Sequence, residues 1–296
     1  MTGNRFLLIA RVGPQSLHPH WLASAAPRRF DVLLSSHDAT VASVEGPGVL
    51  FEHRPGRKVE GHGALLAAHR DHITRYDYVA MFDDDLLIDA DAIGRMFEIA
   101  AEHNLKIAQP ALTADSHISY WALACHPGFR LRYVSFVEMM CPVFRCDALS
   151  QLEPLFRLGY ESGIDLIWSQ LIHDNARDFA VIDAVTVRHT QPVGARKALN
   201  GFTGDKRYED DIEAILHRFG APWLPCLTYG GVLTDGREVC GRRRMWPGAL
   251  ALASAIPLAI RRWQGLRYRA RGLAAYWKHL LMAPTISRPI AWPDDL

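Results

Sequence analysis

The 296-residue chain is poor in cysteine, has no dominant charge, and offers no uninterrupted apolar run of bilayer length. Its five cysteines, at 125, 141, 146, 226 and 240, are odd in number and form no C-x-x-C pair. That argues against a disulfide framework and against a structural zinc site, and a reducing, cytoplasmic setting is expected. No secretory leader is expected either, because the short apolar run in "MTGNRFLLIARVG" meets Arg11 at once. The sixteen uncharged residues between Arg244 and Arg261 contain Pro247 and Pro257, and they fall short of the roughly 20 that span a bilayer. The sequence has no G-x-x-x-x-G-K-[ST] phosphate loop, no internal repeat and no low-complexity tract. With 49% hydrophobic and 22% charged residues and a formal charge of +1, the composition is that of an ordinary globular protein. No nucleic-acid partner is expected.

What is present is alternation. "RFLLIARVG", "FDVLLSSH" and "GVLFEHR" read as β-strands ending in Gly, Pro or polar residues, and "GHGALLAAHRDHITRYD" has helical spacing. "YVAMF" is a further strand, followed by a helix "DADAIGRMFEIAAEHN" that Asp89 or Asp91 can cap, with Ile93, Met96, Phe97 and Ala100 on one face. "KIAQPAL", the long β-rich run "RLRYVSFVEMMCPVF", two helical segments in 147–176 and the strand "FAVIDAVTVRH" continue the pattern. An α/β fold with a mostly parallel sheet covered by helices is expected. The pattern weakens after about residue 195, which suggests a domain over 1–200 and an extension over 201–296.

Directly after "YVAMF" stand three carboxylates, Asp83, Asp84 and Asp85. Like charges this close repel, and partial burial would raise their pKa values unless a cation sits among them. The two-residue period of a strand sends Asp83 and Asp85 to one side and Asp84 to the other, an Asp-x-Asp pincer at a strand's carboxyl end, where open α/β sheets bind ligands. An EF-hand loop is excluded, since Leu86, Leu87 and Ile88 follow where oxygen ligands and Gly would be needed. A solvated acidic cap before the next helix is the plainer reading.

The ordered blocks "YDYVAMFDDDLLID", "LKIAQPAL", "FVEMMCPVFRCDAL", "SGIDLIW" and "AVIDAVTVRHTQPVG" resemble an uncharacterised family of plant and bacterial proteins similar to GT-A glycosyltransferases. The resemblance covers about residues 5 to 195 and implies a GT-A-like, Rossmann-like domain. It further implies Mn²⁺ or Mg²⁺ held by Asp85 and Asp83, completed by His189 and gripping the diphosphate of a nucleotide-sugar donor. Asp84 would contact the donor ribose or sugar, and Arg11 and Gly13 lie where the nucleotide pocket would be. Asp165 matches the family's Gly-x-Asp block and would act as general base, with Glu161 beside it; family members usually carry an aromatic and a glycine where Glu161 and Ser162 stand. Without the resemblance, Asp165 is simply an acid in a helical first turn, and His189 one of 14 histidines. Glu138, inside an apolar strand, would need an arginine partner or an acceptor sugar. Lys58 and Arg57 would either reach donor phosphates or belong to a solvated loop.

The tail differs in charge: residues 237–296 hold eleven Lys or Arg against three acids. Trp263, Leu266, Ala270, Leu273, Trp277 and Leu280 share one helical face and Arg267, Arg271 and Lys278 another. Such a helix can lie on an anionic membrane, making the protein peripheral on the cytoplasmic membrane, or pack on its own domain. The expected activity is metal-dependent transfer of a sugar to a hydroxyl acceptor, a glycan or glycolipid, with inversion. A catalytically silent glycan-binding or scaffold protein and a metal-dependent nucleotidyl- or phosphotransferase are the alternatives.

Overall fold

The structure, a computed structural model, describes residues 3–240 apart from 25, 175, 193 and 196, together with 274 and 289–296. The basic segment expected over 263–280 lies outside the described residues, Ala274 excepted. Strands β1 (Phe6–Val12), β2 (Asp31–Ser36), β3 (Val49–His53) and β4 (Tyr78–Phe82) are parallel and ordered β3-β2-β1-β4. β1, β2 and β4 are buried at every position, as strands covered on both faces must be. β3 at the edge is only half-covered. Helix α1 (His18–Leu22) follows β1, and α2 (Lys58–Ala68) with α3 (Arg70–Ile73) connects β3 to β4. α2 starts earlier than its apolar spacing suggests, so Lys58 is its first residue rather than part of a solvated loop.

Beyond the acidic turn come the two-residue strand β5 (Leu86–Leu87), helix α4 (Ala90–Glu102) and strand β6 (Ile107–Leu112). Asp89 caps α4, its side chain accepting from the Ala92 N–H at 2.7 Å. The face of Ile93, Met96, Phe97 and Ala100 is buried, as its spacing requires. "RLRYVSFVEMMCPVF" is not one strand. It divides into β7 (Phe129–Val134) and β8 (Val143–Arg145), with irregular backbone over 135–142. Then follow α5 (Cys146–Leu152), α6 (Ile164–Ile172), β9 (Phe179–His189), α7 (Tyr208–Arg218), β10 (Thr228–Leu233) and β11 (Glu238–Cys240).

The sheet runs β11-β10-β7-β9-β6-β8-β4-β1-β2-β3, with β5 paired to β9. The α/β architecture with flanking helices is as expected, and the sheet is mixed: β7, β8 and β11 run against the rest of that order. It also continues past residue 200, since Ile215 of α7 and Val232 of β10 join the same core. No helix among the described residues is long and apolar enough to cross a membrane. Successive strands step from β1 to β2 to β3 in one direction, then return to β4 on the other side of β1. The order therefore reverses between β1 and β4, and a crevice opens outside their carboxyl ends.

Candidate active site

β4 ends at Phe82, so the three carboxylates form the turn at that crevice. Neighbouring segments fix its backbone: Asp83 N–H donates to Met140 O at 2.9 Å, Asp84 O accepts from Leu17 N–H at 2.7 Å, and Asp85 O accepts from Thr190 N–H at 3.1 Å. Trp21, fully buried, donates its indole N–H to Leu86 O at 2.9 Å and seats α1 beneath the turn. The side chains diverge as the two-residue period demands. Asp84 is buried, and its Oδ2 accepts from Gly13 N–H at 2.8 Å, joining the ends of β1 and β4. Asp83 and Asp85 face other partners.

Lys58 places its ammonium 2.6 Å from Asp83 Oδ1 and 2.7 Å from Oδ2. Burial pushes Asp83 up to about 6, with Asp85 adding to the rise and Lys58 opposing it. Asp85 meets His189 because β5 pairs antiparallel with the end of β9, Leu86 opposite His189. Its Oδ2 lies 3.4 Å from His189 Nε2. His189 donates Nδ1–H to His117 O at 2.9 Å, which orients Nε2 toward the acidic turn. Burial opposes a charge on this imidazole, but Asp85 and the His117 carbonyl outweigh it and raise its pKa.

A cavity of about 470 Å³ opens over the turn, lined by Arg11, Lys58, Asp83, Asp84, Asp85, Glu138, Glu161, Asp165 and His189. Of the candidate site residues singled out in the sequence, Gly13 and Arg57 are outside this lining: Gly13 contributes its N–H to Asp84, and Arg57 pairs with Glu60 at 3.2 Å. Two others have work that sequence reasoning did not give them. Glu161, buried, spreads its carboxylate across the start of α2, accepting from Val59 N–H at 2.8 Å and Glu60 N–H at 3.0 Å. It is a helix cap supplied from a distant segment, where the dipole favours an anion. Arg11, also buried, ties the loop before α2 by donating to Arg54 O at 3.0 Å, Gly56 O at 2.7 Å and Ser35 Oγ at 3.3 Å. Its guanidinium is directed at that loop.

Asp165 stands in the first turn of α6 after Gly163, whose φ of 88° is a conformation glycine tolerates. It accepts from Met139 N–H at 3.3 Å, and burial raises its pKa. Glu138 lies in the irregular segment between β7 and β8 rather than in a strand, positioned by its N–H donating to Gln109 Oε1 at 2.9 Å. Among the described residues no arginine pairs with it. Burial and then Asp165 push it up to about 7, against the Ser119 hydroxyl, and its Oε2 is enclosed without a hydrogen-bond partner. The cavity therefore holds two neighbouring acids of elevated pKa, a feature common at functional sites.

The lining also includes residues that the sequence reading passed over. His62 of α2 is buried, its Nδ1 lacks a partner, and burial with Arg11 and Lys58 nearby holds it well below its ordinary pKa, hence neutral. Its only sequence signal is a position one turn after Lys58 on one helical face. Tyr208, Leu199 and Trp223 form part of the rim, with Leu199 56% and Trp223 50% exposed. They come from beyond the blocks that carried the resemblance.

The donor types suit a hard divalent cation: two carboxylates and an imidazole whose other ring nitrogen is held by a backbone carbonyl. Among the described residues, however, no group of three His, Cys, Asp or Glu is spaced to hold an ion. Lys58 is the cation on Asp83 here.

A profile for a protein family of unknown function, DUF707, matches residues 65–129, from α2 through the acidic turn to the start of β7. No curated protein matches the chain. Among solved structures, S. aureus TarS residues 1–349 is similar at 10% identity and a TM-score of 0.42, covering 70% of this chain and 68% of that one. The same TarS segment in complex with UDP-GlcNAc gives 10% identity and 0.42, with 72% of each chain covered. A197 from STIV gives 12% identity and 0.39, covering 62% of this chain and 85% of that one.

Proposed function

We propose that the protein is a glycosyltransferase that moves a sugar from a nucleotide diphosphate donor to a hydroxyl acceptor in making a polysaccharide or glycolipid. One observation carries this reading: the acidic turn after β4 and Asp165 of α6 share a single cavity at the point where the strand order reverses. The acceptor hydroxyl attacks the anomeric carbon while its proton passes to Asp165. The bond from that carbon to the diphosphate breaks, its electron pair leaving with the nucleoside diphosphate. Direct attack inverts the anomeric configuration.

Burial suits Asp165 to the task, because a raised pKa makes a carboxylate a stronger base near neutrality. Glu138, in the same cavity and with its Oε2 lacking a hydrogen-bond partner, is placed to bind acceptor hydroxyls. Asp83, Asp85 and His189 would hold Mn²⁺ or Mg²⁺, which when bound supplies positive charge to the leaving diphosphate. Lys58 adds charge of the same sign at the same wall.

The test is release of nucleoside diphosphate from UDP-GlcNAc and from other UDP, GDP, CDP and TDP sugars, with Mn²⁺ present. Asp165→Asn should keep the donor-induced rise in melting temperature yet lose turnover by roughly 10²- to 10⁴-fold, the usual worth of a general base. Retained turnover would remove Asp165 from that role. Release of inorganic phosphate or diphosphate instead would point to a phospho- or nucleotidyltransferase, and donor binding without turnover in the wild type to a silent binding protein.

A further inference from the structure

We propose that Lys58 is a resident counter-ion for the acidic turn, competing with a divalent cation for Asp83 and leaving that carboxylate when the cation binds. The inference rests on the metal-assisted reading above and adds to it a role for a residue of this chain in the unliganded state.

The geometry is that of a clasp: one ammonium lies within 2.7 Å of both oxygens of a single carboxylate. Both oxygens are thereby engaged, while Asp85 and His189 lie against each other alongside. A small hard cation such as Mg²⁺ bonds oxygen ligands at roughly 2.0–2.1 Å. At that distance it would meet the Lys58 ammonium at short range, and two positive charges there repel strongly in a partly buried site. A cation taking the oxygen lone pairs that Lys58 now chelates therefore displaces the ammonium from this arrangement.

The backbone supporting Lys58 is fixed, whereas its side chain can move. Arg11 holds Gly56 O and Arg54 O, and Glu161 caps the first turn of α2, so the origin of the side chain is set. Four methylenes with rotatable bonds lie between that origin and the ammonium, and the cavity is open beside it. Lys58 can therefore swing off Asp83 without any change in fold. In the resting protein it neutralises part of a turn whose three acids would otherwise repel one another.

The experiment measures Mn²⁺ binding alone, by electron paramagnetic resonance of the free ion, for the wild type, Lys58→Met and Lys58→Gln. Circular dichroism establishes that each variant is folded. Removing the competing charge should tighten Mn²⁺ binding on the order of tenfold or more in whichever neutral variant folds. Unchanged or weaker binding in a folded variant, with the wild type binding Mn²⁺, overturns the competition and leaves the metal-assisted reading standing. No Mn²⁺ binding by the wild type or either variant overturns both. Asp83→Asn in the Lys58→Met background should abolish the gain, and a gain that survives it would place the ion elsewhere and overturn the assignment.

Discussion

Asp83, Asp84 and Asp85 are identical in chemistry and adjacent in sequence, and each has a different partner. Asp84 binds a backbone N–H across the gap between β1 and β4, Asp83 an ammonium, and Asp85 an imidazole. The division was legible, since the side-chain period of an extended backbone separates the middle residue from its neighbours. The partners were not, because Gly13, Lys58 and His189 reach the turn through strand pairing and helix placement across 25 or more residues. A structural role for Asp84 has a measurable consequence. Asp84→Ala leaves the Gly13 N–H without its carboxylate, and losing a hydrogen bond to a charged, buried group costs about 1.5–3 kcal/mol. Asp84→Asn keeps an acceptor oxygen and should lose less. Urea unfolding distinguishes the two roles: unchanged stability in Asp84→Ala, with donor binding lost, would return Asp84 to the donor contact that the family resemblance implied.

Helix α2 shows how one element can carry both packing and chemistry. Its glycines are spaced for close approach: a Cβ on Gly61 would lie 2.2 Å from Arg11 Cζ, and one on Gly63 would lie 2.6 Å from the carbonyl oxygen of Phe156. Glycine lets the helix settle against the turn at 153–157 and against a buried guanidinium, and this brings Lys58 and His62 to the cavity. Gly63→Ala tests that packing. Alanine favours the helix by about 0.8–1.0 kcal/mol, but overpacking against backbone that cannot swing aside costs about 1–3 kcal/mol. Net destabilisation is expected in chemical denaturation, and a stabilised variant would show that the approach is loose. From sequence, α2 was visible as helical spacing while its start and its packing were hidden, because glycine signals a missing side chain without naming its neighbour. The reading of 130–144 as one β-rich stretch failed for a related reason. Buried irregular backbone and buried strand carry the same apolar residues, and here the irregular stretch is what delivers Glu138.

At the scale of the whole molecule, the α/β architecture followed from alternation alone, whereas the strand order that creates the crevice depends on long-range pairing that periodicity does not encode. The core that supports this order includes a fully buried ion pair, Arg132 with Asp183, joining β7 to β9. Arg132 also donates to Ala122 O at 2.8 Å, bracing the segment that follows Ser119 and Tyr120 in the cavity wall. In contrast to that matched pair, Glu138 forms no ion pair among the described residues, and its burial makes global stability depend on pH. Its ordinary pKa is 4.5 and its folded value is raised to about 7, chiefly by burial. Between those values the folded chain holds a proton that the unfolded chain releases, so this group's contribution to stability falls as pH rises from about 4.5 to about 7 and then levels off. Asp165, which burial also raises, acts in the same direction, whereas His62, held well below its ordinary value, acts oppositely. The informative quantity is therefore the difference between Glu138→Gln and the wild type. Glutamine cannot ionise, so in urea titrations across pH 4 to 8 the variant should gain on the wild type through about 4.5–7 and keep a constant advantage above. A difference that is flat across the whole range would mean that Glu138 ionises in the folded protein as readily as in the unfolded chain, and that the cavity solvates it far better than its enclosed oxygen indicates.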